Sequence, residues 1–437
     1  MSVISVEQVL CSIRHFSATK VVLGLSGGLD SMVLLELLHQ ARQQQHFDLQ
    51  VVYVNHGLSP NADSWGVFCQ QQCLLRAAGF QQIHLKLAAG ANLEARAREA
   101  RYGALAEFIT AKTHLLMTAH HADDQLETLL LALKRGSGAA GLSGIAPQKP
   151  FASGYMVRPL LSVTRQQLQQ MAEHCKLLWI EDESNADEQF ERNFIRHQLT
   201  PILNARWPGF VHTAARSMSH IAALQQLTDQ YTEQALPHCV QHKRLNLQAL
   251  QQYPLLQQDL IIRRWLAGFG LNMQTQWLQT LKQQIIAAKA DATPLLQLGD
   301  YHIRRFDNWL YLCQPTEIPA AGTLQRWQGE TAVTLPGDAG ILHFGRQPSA
   351  GSLPVALTSA AVSITFGTFS LPFKPAVAQQ HKPLKQWLKQ WKVPPWRRGS
   401  IPLLLVDGKL QLVAGYASAV TETQSTHWVL WHTQSED

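Results

Sequence analysis

The stretch VVLGLSGGLDSMVLLELL, Val21 to Leu38, decides how the first half of the chain is read. Val21 to Leu25 is short, apolar and bounded by glycine, which predicts a buried strand. Met32, Leu34, Leu35, Leu37 and Leu38 recur at spacings that bury one side of a helix. Between the two, Ser26-Gly27-Gly28 makes a turn whose backbone N–H groups sit at a helix start. Those donors carry the positive end of the helix dipole, and the hydroxyls of Ser26 and Ser31 stand beside them, so the turn suits a phosphate or pyrophosphate. No lysine precedes the serine, which separates this turn from the loop ending in Gly-Lys-Ser/Thr. Asp30 is there instead. An acid beside a phosphate repels it unless a divalent cation lies between them, so Asp30 points to Mg²⁺ coordination. A glycine turn capped by Asp30 or Ser31 is the other, less favoured reading of the hexapeptide on its own, and the rest of the chain has to decide.

Working outward, LQVVYVN, QIHLKL and HLLMTA read as further strands, each followed by a helical pattern. That alternation predicts a parallel sheet in a layered α/β domain, with the ligand beyond the strand C-termini where the Ser-Gly-Gly turn falls. After Phe210 the pattern changes to Gln- and Leu-rich amphipathic helices running to about Ala292. YHIRRFDNWLYLC is strand-like, and a small β-rich segment with one helix near Leu384 to Lys392 follows a Pro/Gly-containing connection from Pro315 to Gly322. The expected division is 1–215, a nucleotide-binding catalytic domain, 216–315, a mostly helical middle domain, and 322–437, a small α+β C-terminal domain.

The length, 437 residues, accommodates two or three domains, each with its own core. Lys and Arg exceed Asp and Glu by 37 − 31 = 6, a balance compatible with a polyanionic partner. Six cysteines without a C-x-x-C pair fit a reducing cytoplasm and argue against a metal or redox motif. The N-terminus has no signal-peptide pattern, and no apolar run is long enough to span a membrane, so a cytoplasmic protein is expected.

The chemistry concentrates in three places. Asn55-His56-Gly57 lies where the second strand should end, a natural ribose or adenine contact. His120-His121, Asp123-Asp124 and Glu127 cluster at an apparent helix start. A cap explains one carboxylate there, whereas three acids with two histidines call for a metal or an amine substrate to relieve their repulsion. Arg192 and Arg196 share a helix face that can hold a phosphate or a charged intermediate. Glu94, Arg98 and Arg101 also fall on one helical side, where surface ion pairing is an equally good reading.

SGGLDS, VNHGLSPNADSW, NLEARAREARY, AHHADDQLETLLLALKRGSGAAGLSG, WIEDESN, RNFIRH and the late VPPWRRGSIPLL, in this order, resemble the tRNA(Ile)-lysidine synthetase family within the PP-loop, or N-type ATP pyrophosphatase, superfamily. The resemblance is dense over the first 210 residues and recurs near the C-terminus. It implies a PP-loop α/β domain followed by a mostly helical middle domain and a small β-rich C-terminal domain. The implied reaction adenylates the wobble cytidine of an isoleucine tRNA with a CAU anticodon, after which lysine displaces AMP. ATP would lie on Ser26, Gly27, Gly28, Leu29, Asp30, Ser31 and His56, with Mg²⁺ on Asp30. Asp30, Asp124, Arg192 and Arg196 are the implied catalytic residues, and Asp124 and Glu127 the implied lysine site. The implied partners are tRNA(Ile), L-lysine and, as an option, a second copy of the chain in a homodimer; no membrane is implied. A tRNA thiolase of the same superfamily would use cysteines this chain lacks in motif form, and a noncatalytic nucleotide sensor would not need the acid and arginine cluster.

The C-terminal segment bears on the RNA partner separately. Lys374, Lys382, Lys385, Lys389, Lys392, Arg397, Arg398 and Lys409 fall in a span whose only acid is Asp407, with Trp387, Trp391 and Trp396 interleaved. A helix with an aromatic inner face and a basic solvated face produces that pattern, and its cations can contact phosphates. Lys385, Lys389, Arg397 and Arg398 are the expected tRNA contacts.

Overall fold

The apolar run before the Ser-Gly-Gly turn forms β1 (Lys20–Gly24) in the computed structural model, which describes residues 4–57, 59–85, 93–183, 187–289, 292–357 and 361–433. Helix α1 (Glu7–His15) precedes it. Then come α2 (Leu29–Arg42), β2 (Asp48–Asn55), α3 (Ala62–Leu75), β3 (Gly79–His84), α4 (Leu93–Ala106), β4 (His114–Met117) and α5 (Ala122–Lys134). A short α6 (Ala139–Leu142), the hairpin β5 (Gln148–Phe151) and β6 (Gly154–Val157), and α7 (Arg165–His174) complete the layer.

The strands lie in the order β3-β2-β1-β4-β6-β5, parallel except for the antiparallel edge strand β5. Both faces of β1 are buried, as a covered parallel sheet requires. Val21 and Leu23 join one core with Leu10, Met32, Leu35 and Leu115, and Val22 joins the other with Val52, Leu105, Leu116 and Met156. From β1 the chain moves to β2 on one side and later sets β4 on the other. The strand order therefore reverses between β1 and β4, and a crevice opens at their C-terminal ends. Leu23 pairs with Met117 in register, so the Ser-Gly-Gly turn and the His120-His121 segment leave the sheet side by side.

The turn depends on glycine. Gly27 has φ of 82°, in the left-handed region, and a Cβ there would stand 2.5 Å from Ile180 Cδ1 and 3.1 Å from Cys69 Sγ. Its carbonyl accepts from the Ile180 N–H at 2.9 Å, which ties the loop to the segment before the arginine motif.

The chain divides into two compact units, Met1–Asp229 and Gln230–Asp437, the boundary falling within the helix Phe210–Cys239. In the second unit the helices Leu255–Ala267 and Thr275–Leu281 share a core with a five-stranded antiparallel sheet, in which Ile261, Trp265, Leu281, Ile303 and Leu310 meet. The helical reading of this region missed two short strands, Val240–Gln241 and Arg244–Asn246. Their connecting residues His242 and Lys243 both have positive φ, 45° and 61°. That is the hairpin geometry Asn-Gly normally advertises and His-Lys does not. Two further antiparallel sheets enclose Leu342, Ile364, Phe366, Leu404 and Leu412, and the helix Leu384–Gln390 buries Leu384, Trp387 and Leu388 beside them. Among the described residues no helix is long and apolar enough to cross a membrane.

Gly27→Ala has to pay for a left-handed alanine and for the contact with Ile180. We expect a loss of roughly 1–3 kcal/mol, read as a lower denaturation midpoint, together with weaker nucleotide binding. An alanine variant with an unchanged midpoint would show that the turn relaxes freely.

Candidate active site

A cavity of about 540 Å³ fills the crevice between the ends of β1 and β4. The turn lines it with Ser26, Gly28, Asp30 and Ser31; His56 enters from the end of β2, Arg98, Arg101 and Tyr102 from α4, and Thr118, His120, Asp124 and Arg192 from the opposite side. The turn is already folded. Ser31 Oγ donates to the Gly28 carbonyl at 2.9 Å, and longer contacts of 3.1–3.3 Å link Ser26 Oγ, Ser31 Oγ and the Ser26 and Gly28 N–H groups. Leu29 turns its side chain into the core, so only its backbone faces the loop.

Asp30 is held from two sides. Its Oδ2 accepts from Arg165 Nη1 at 2.7 Å and lies 3.6 Å from His121 Nε2. Burial alone would raise this carboxyl; His121, then Arg165 and Arg196, override it and hold it below its usual range. Oδ1 is buried without a hydrogen-bond partner among the described residues. That orphaned oxygen fits a divalent cation. No group of three or more His, Cys, Asp or Glu is arranged for a metal among the described residues, which is compatible with an ion such as Mg²⁺ that is bound through one or two carboxylates together with substrate phosphates and water.

The two adjacent histidines have opposite charge states. His121 is 1% exposed, with carboxylate oxygens of Asp30, Asp123 and Asp124 each at 3.6 Å. Burial would lower it, but Asp123, Asp30 and Asp124 together raise it to about 10. His120 is pushed down to about 4, by burial first and then by Arg158, Arg98 and Arg101 against the pull of Asp124. Its Nδ1 lies 2.9 Å from Thr118 Oγ1. His56 is likewise lowered, by burial and by Arg101, and its Nδ1 is buried without a partner among the described residues. The cavity therefore meets a ligand with neutral imidazoles, and the charged one lies behind them.

Asp124 caps α5, its Oδ2 accepting from the His121 N–H at 2.9 Å. Arg196 reaches the same place from a continuous helical segment made of α8 (Glu191–Phe194), a π turn (Ile195–Leu199) and α9 (Thr200–Arg206). Its Nε and Nη2 donate to the two Glu127 oxygens at 2.8 and 3.2 Å, and Nη2 lies 3.5 Å from Asp124 Oδ1. Burial raises the Glu127 carboxyl, and Arg196 only partly offsets it. Arg192, one turn earlier, lines the cavity, while Glu127 and Arg196 stand behind Asp124.

Of the predicted residues, Ser26, Gly28, Asp30, Ser31, His56, Asp124 and Arg192 thus share one cavity, Gly27 and Leu29 are absent from its lining, and Glu127 and Arg196 contact each other beside Asp124. Lys385, Lys389, Arg397 and Arg398 belong to the second unit. Lys385 and Lys389 are exposed, one helical turn apart, and form no ion pair among the described residues. Arg397 and Arg398 are half-buried, and Arg398 Nε donates to the Val393 carbonyl at 2.9 Å. The motif reading overlooked Arg165, although Thr164 and Gln167 form a capping box that marks a helix start and puts Arg165 in its first turn. The side chain of Glu94 lies outside the described residues.

The His121 charge gives stability a definite pH dependence. Its folded pKa of about 10 exceeds the ordinary 6.5, so its contribution is complete below pH 6.5 and is lost as pH rises toward 10. Stability should fall across that window by up to about 1.4 kcal/mol per pH unit. His121→Gln should flatten the slope in denaturation experiments at pH 6.5 to 10; the same slope in both proteins would assign the loss to other groups.

Comparison with known proteins finds matches along most of the chain. Residues 1–203 match the family model of the PP-loop domain, residues 245–311 that of the TilS substrate binding domain, and residues 362–431 that of the TilS substrate C-terminal domain. The tRNA(Ile)-lysidine synthase of Vibrio cholerae serotype O1 is 38% identical over 406 residues, which cover 92% of each chain. That of Yersinia pseudotuberculosis serotype O:1b is 38% identical over 434 residues, or 94% of each. With identity at this level along nearly the whole of both chains, this chain belongs to the tRNA(Ile)-lysidine synthase family.

Proposed function

We propose that the chain is a ligase that uses ATP to join L-lysine to the wobble cytidine of a CAU-anticodon isoleucine tRNA. The observation that carries this reading is the single cavity that joins a phosphate-shaped turn to an acid and arginine cluster. ATP lies along Ser26 to Ser31 and His56, with its pyrophosphate toward the turn's N–H groups and hydroxyls. The base carbonyl oxygen takes the AMP moiety and pyrophosphate leaves. The lysine side-chain nitrogen then bonds to the activated carbon, the carbon–oxygen bond to AMP breaks, and the nitrogen gives up a proton. Mg²⁺, held by Asp30 when bound, screens the charge of the leaving phosphates.

Asp124 faces the cavity and receives the lysine ammonium first. Glu127 stands behind it, and the ammonium reaches Glu127 only where Arg196 gives way, because Arg196 holds both its oxygens. Arg192 and Arg196 supply positive charge near the forming adenylate. The first 215 residues act as the catalytic domain, with residues 216–315 and 322–437 serving the tRNA. Lys385 and Lys389 are the principal phosphate contacts and Arg397 and Arg398 lesser ones, since the first two are exposed and unpaired among the described residues. The six free cysteines are compatible with a cytoplasmic site of action.

Lysine-dependent release of AMP, assayed with a tRNA(Ile) transcript, tests the reading. A sulfur-transfer enzyme would not need lysine, and a nucleotide sensor would release no AMP.

Asp30→Asn removes one charge with little change in volume. We expect AMP formation to fall by about 100-fold or more, with an increased Mg²⁺ requirement. Near-normal turnover at saturating Mg²⁺ would reject the assigned role. Glu127→Gln should raise the KM for lysine several-fold while that for ATP moves little, because an amide cannot balance an ammonium. An unchanged lysine KM would remove Glu127 from the lysine site.

A further inference from the structure

In the second unit three aromatic rings form a column that runs outward from the core. Trp387, 7% exposed, is fixed by its indole N–H donating to the Phe373 carbonyl at 2.9 Å, with Lys382 Nζ 5.0 Å from its ring centroid. Trp391 stacks on Trp387 at 5.9 Å between centroids and 26° from parallel. Tyr416 continues the column at 5.7 Å and 16°. These are offset stacks, and exposure rises along them to 37% at Tyr416. Tyr416 sits on a turn between the strands Lys409–Val413 and Ala417–Ser418. There its N–H bonds to the Val413 carbonyl at 3.0 Å and Gly415 takes φ of 73°. A side chain on Gly415 would stand 3.1 Å from Trp431, so the backbone that presents Tyr416 is itself constrained. The ring at the open end is held in place before any ligand arrives.

The surroundings are basic. The span Lys374 to Lys409 carries eight Lys and Arg against one acid, Asp407. Lys392 is paired with Asp307, whereas Lys385 and Lys389, on the helix that carries Trp387, form no ion pair among the described residues. Cations of this kind suit phosphates, and a preformed stack ending in a partly open ring suits another flat ring. A single-stranded nucleotide offers both.

We propose that Tyr416 is a stacking site for one unpaired base of the bound RNA, with Lys385 and Lys389 drawing the adjoining backbone to this module. The proposal rests on the reading that RNA is the substrate. Stacking and charge separate experimentally, because only phosphate contacts release counterions.

Full-length protein and variants are titrated with tRNA(Ile) transcript, a short single-stranded RNA and a blunt RNA duplex, each at several salt concentrations, with thermal midpoints checked. Tyr416→Ala should weaken transcript and single-strand binding roughly 5- to 150-fold without changing the salt slope, and should leave duplex binding nearly unchanged. Tyr416→Phe should retain most of the affinity. Lys385→Ala/Lys389→Ala should reduce the salt slope by about one or two. Wild-type affinity in a folded Tyr416→Ala protein, a loss equal in Tyr416→Phe, or an equal loss for the duplex would overturn the stacking site. Failure of the unaltered protein to bind tRNA would instead overturn the substrate reading on which it rests.

Discussion

A protonated imidazole buried among carboxylates holds the active cavity together. Asp30, Asp123 and Asp124 come from two different strand ends and converge on one ring, each with an oxygen 3.6 Å from a His121 nitrogen, and His121 draws the carboxyls of Asp30 and Asp123 below their usual range against the effect of burial. His121 is the N-cap of α5, Arg165 supports Asp30, and Arg196 supports Glu127 and Asp124. Arg98, Arg101 and Arg192 line the same cavity, and Arg192 also acts on the Glu127 carboxyl. Burial still pushes the Glu127 carboxyl upward, against the pull of Arg196 and Arg192.

The fold makes this cluster possible through one topological step. Because β4 pairs with β1 rather than with β3, the segment after β4 emerges beside the Ser-Gly-Gly turn. The two histidines after β4 then meet different surroundings. His120 faces Thr118 and the arginines of the cavity and stays neutral, while His121 faces acids and stays charged. Adjacent residues of one type thus take opposite roles because neighbours far apart in sequence are brought to opposite sides of them.

This also explains what could be read before the structure. The turn, His56, the acid cluster and the arginine pair are local patterns with a chemistry of their own, and their shared location followed from strand alternation. Arg165 carries no such local pattern. Its partner Asp30 is 135 residues away, and a lone arginine after a threonine looks like any helix start. The hairpin at His242-Lys243 was hidden for a related reason, since its positive φ angles are sustained by pairing rather than by residues that favour them. By contrast, the Asp307-Asn308 turn between Tyr301–Phe306 and Trp309–Cys313 has the same feature with residues that tolerate it, and that region read as strand from the start.

The basic C-terminal segment shows the limit of charge counting. Eight cations in a row of sequence look equivalent, but the fold gives several of them local work. Lys392 neutralises Asp307, Lys382 lies over Trp387, and Arg398 satisfies the Val393 carbonyl. Each of those would have to break an existing contact before taking a phosphate. Lys385 and Lys389 would not, because the helix that buries Leu384, Trp387 and Leu388 turns them outward. The aromatic face that looked like a simple core in sequence is therefore what sorts the cations: by burying one side of the helix it leaves two lysines exposed and without an ion pair among the described residues, and by extending outward to Tyr416 it sets a partly exposed ring in the same module.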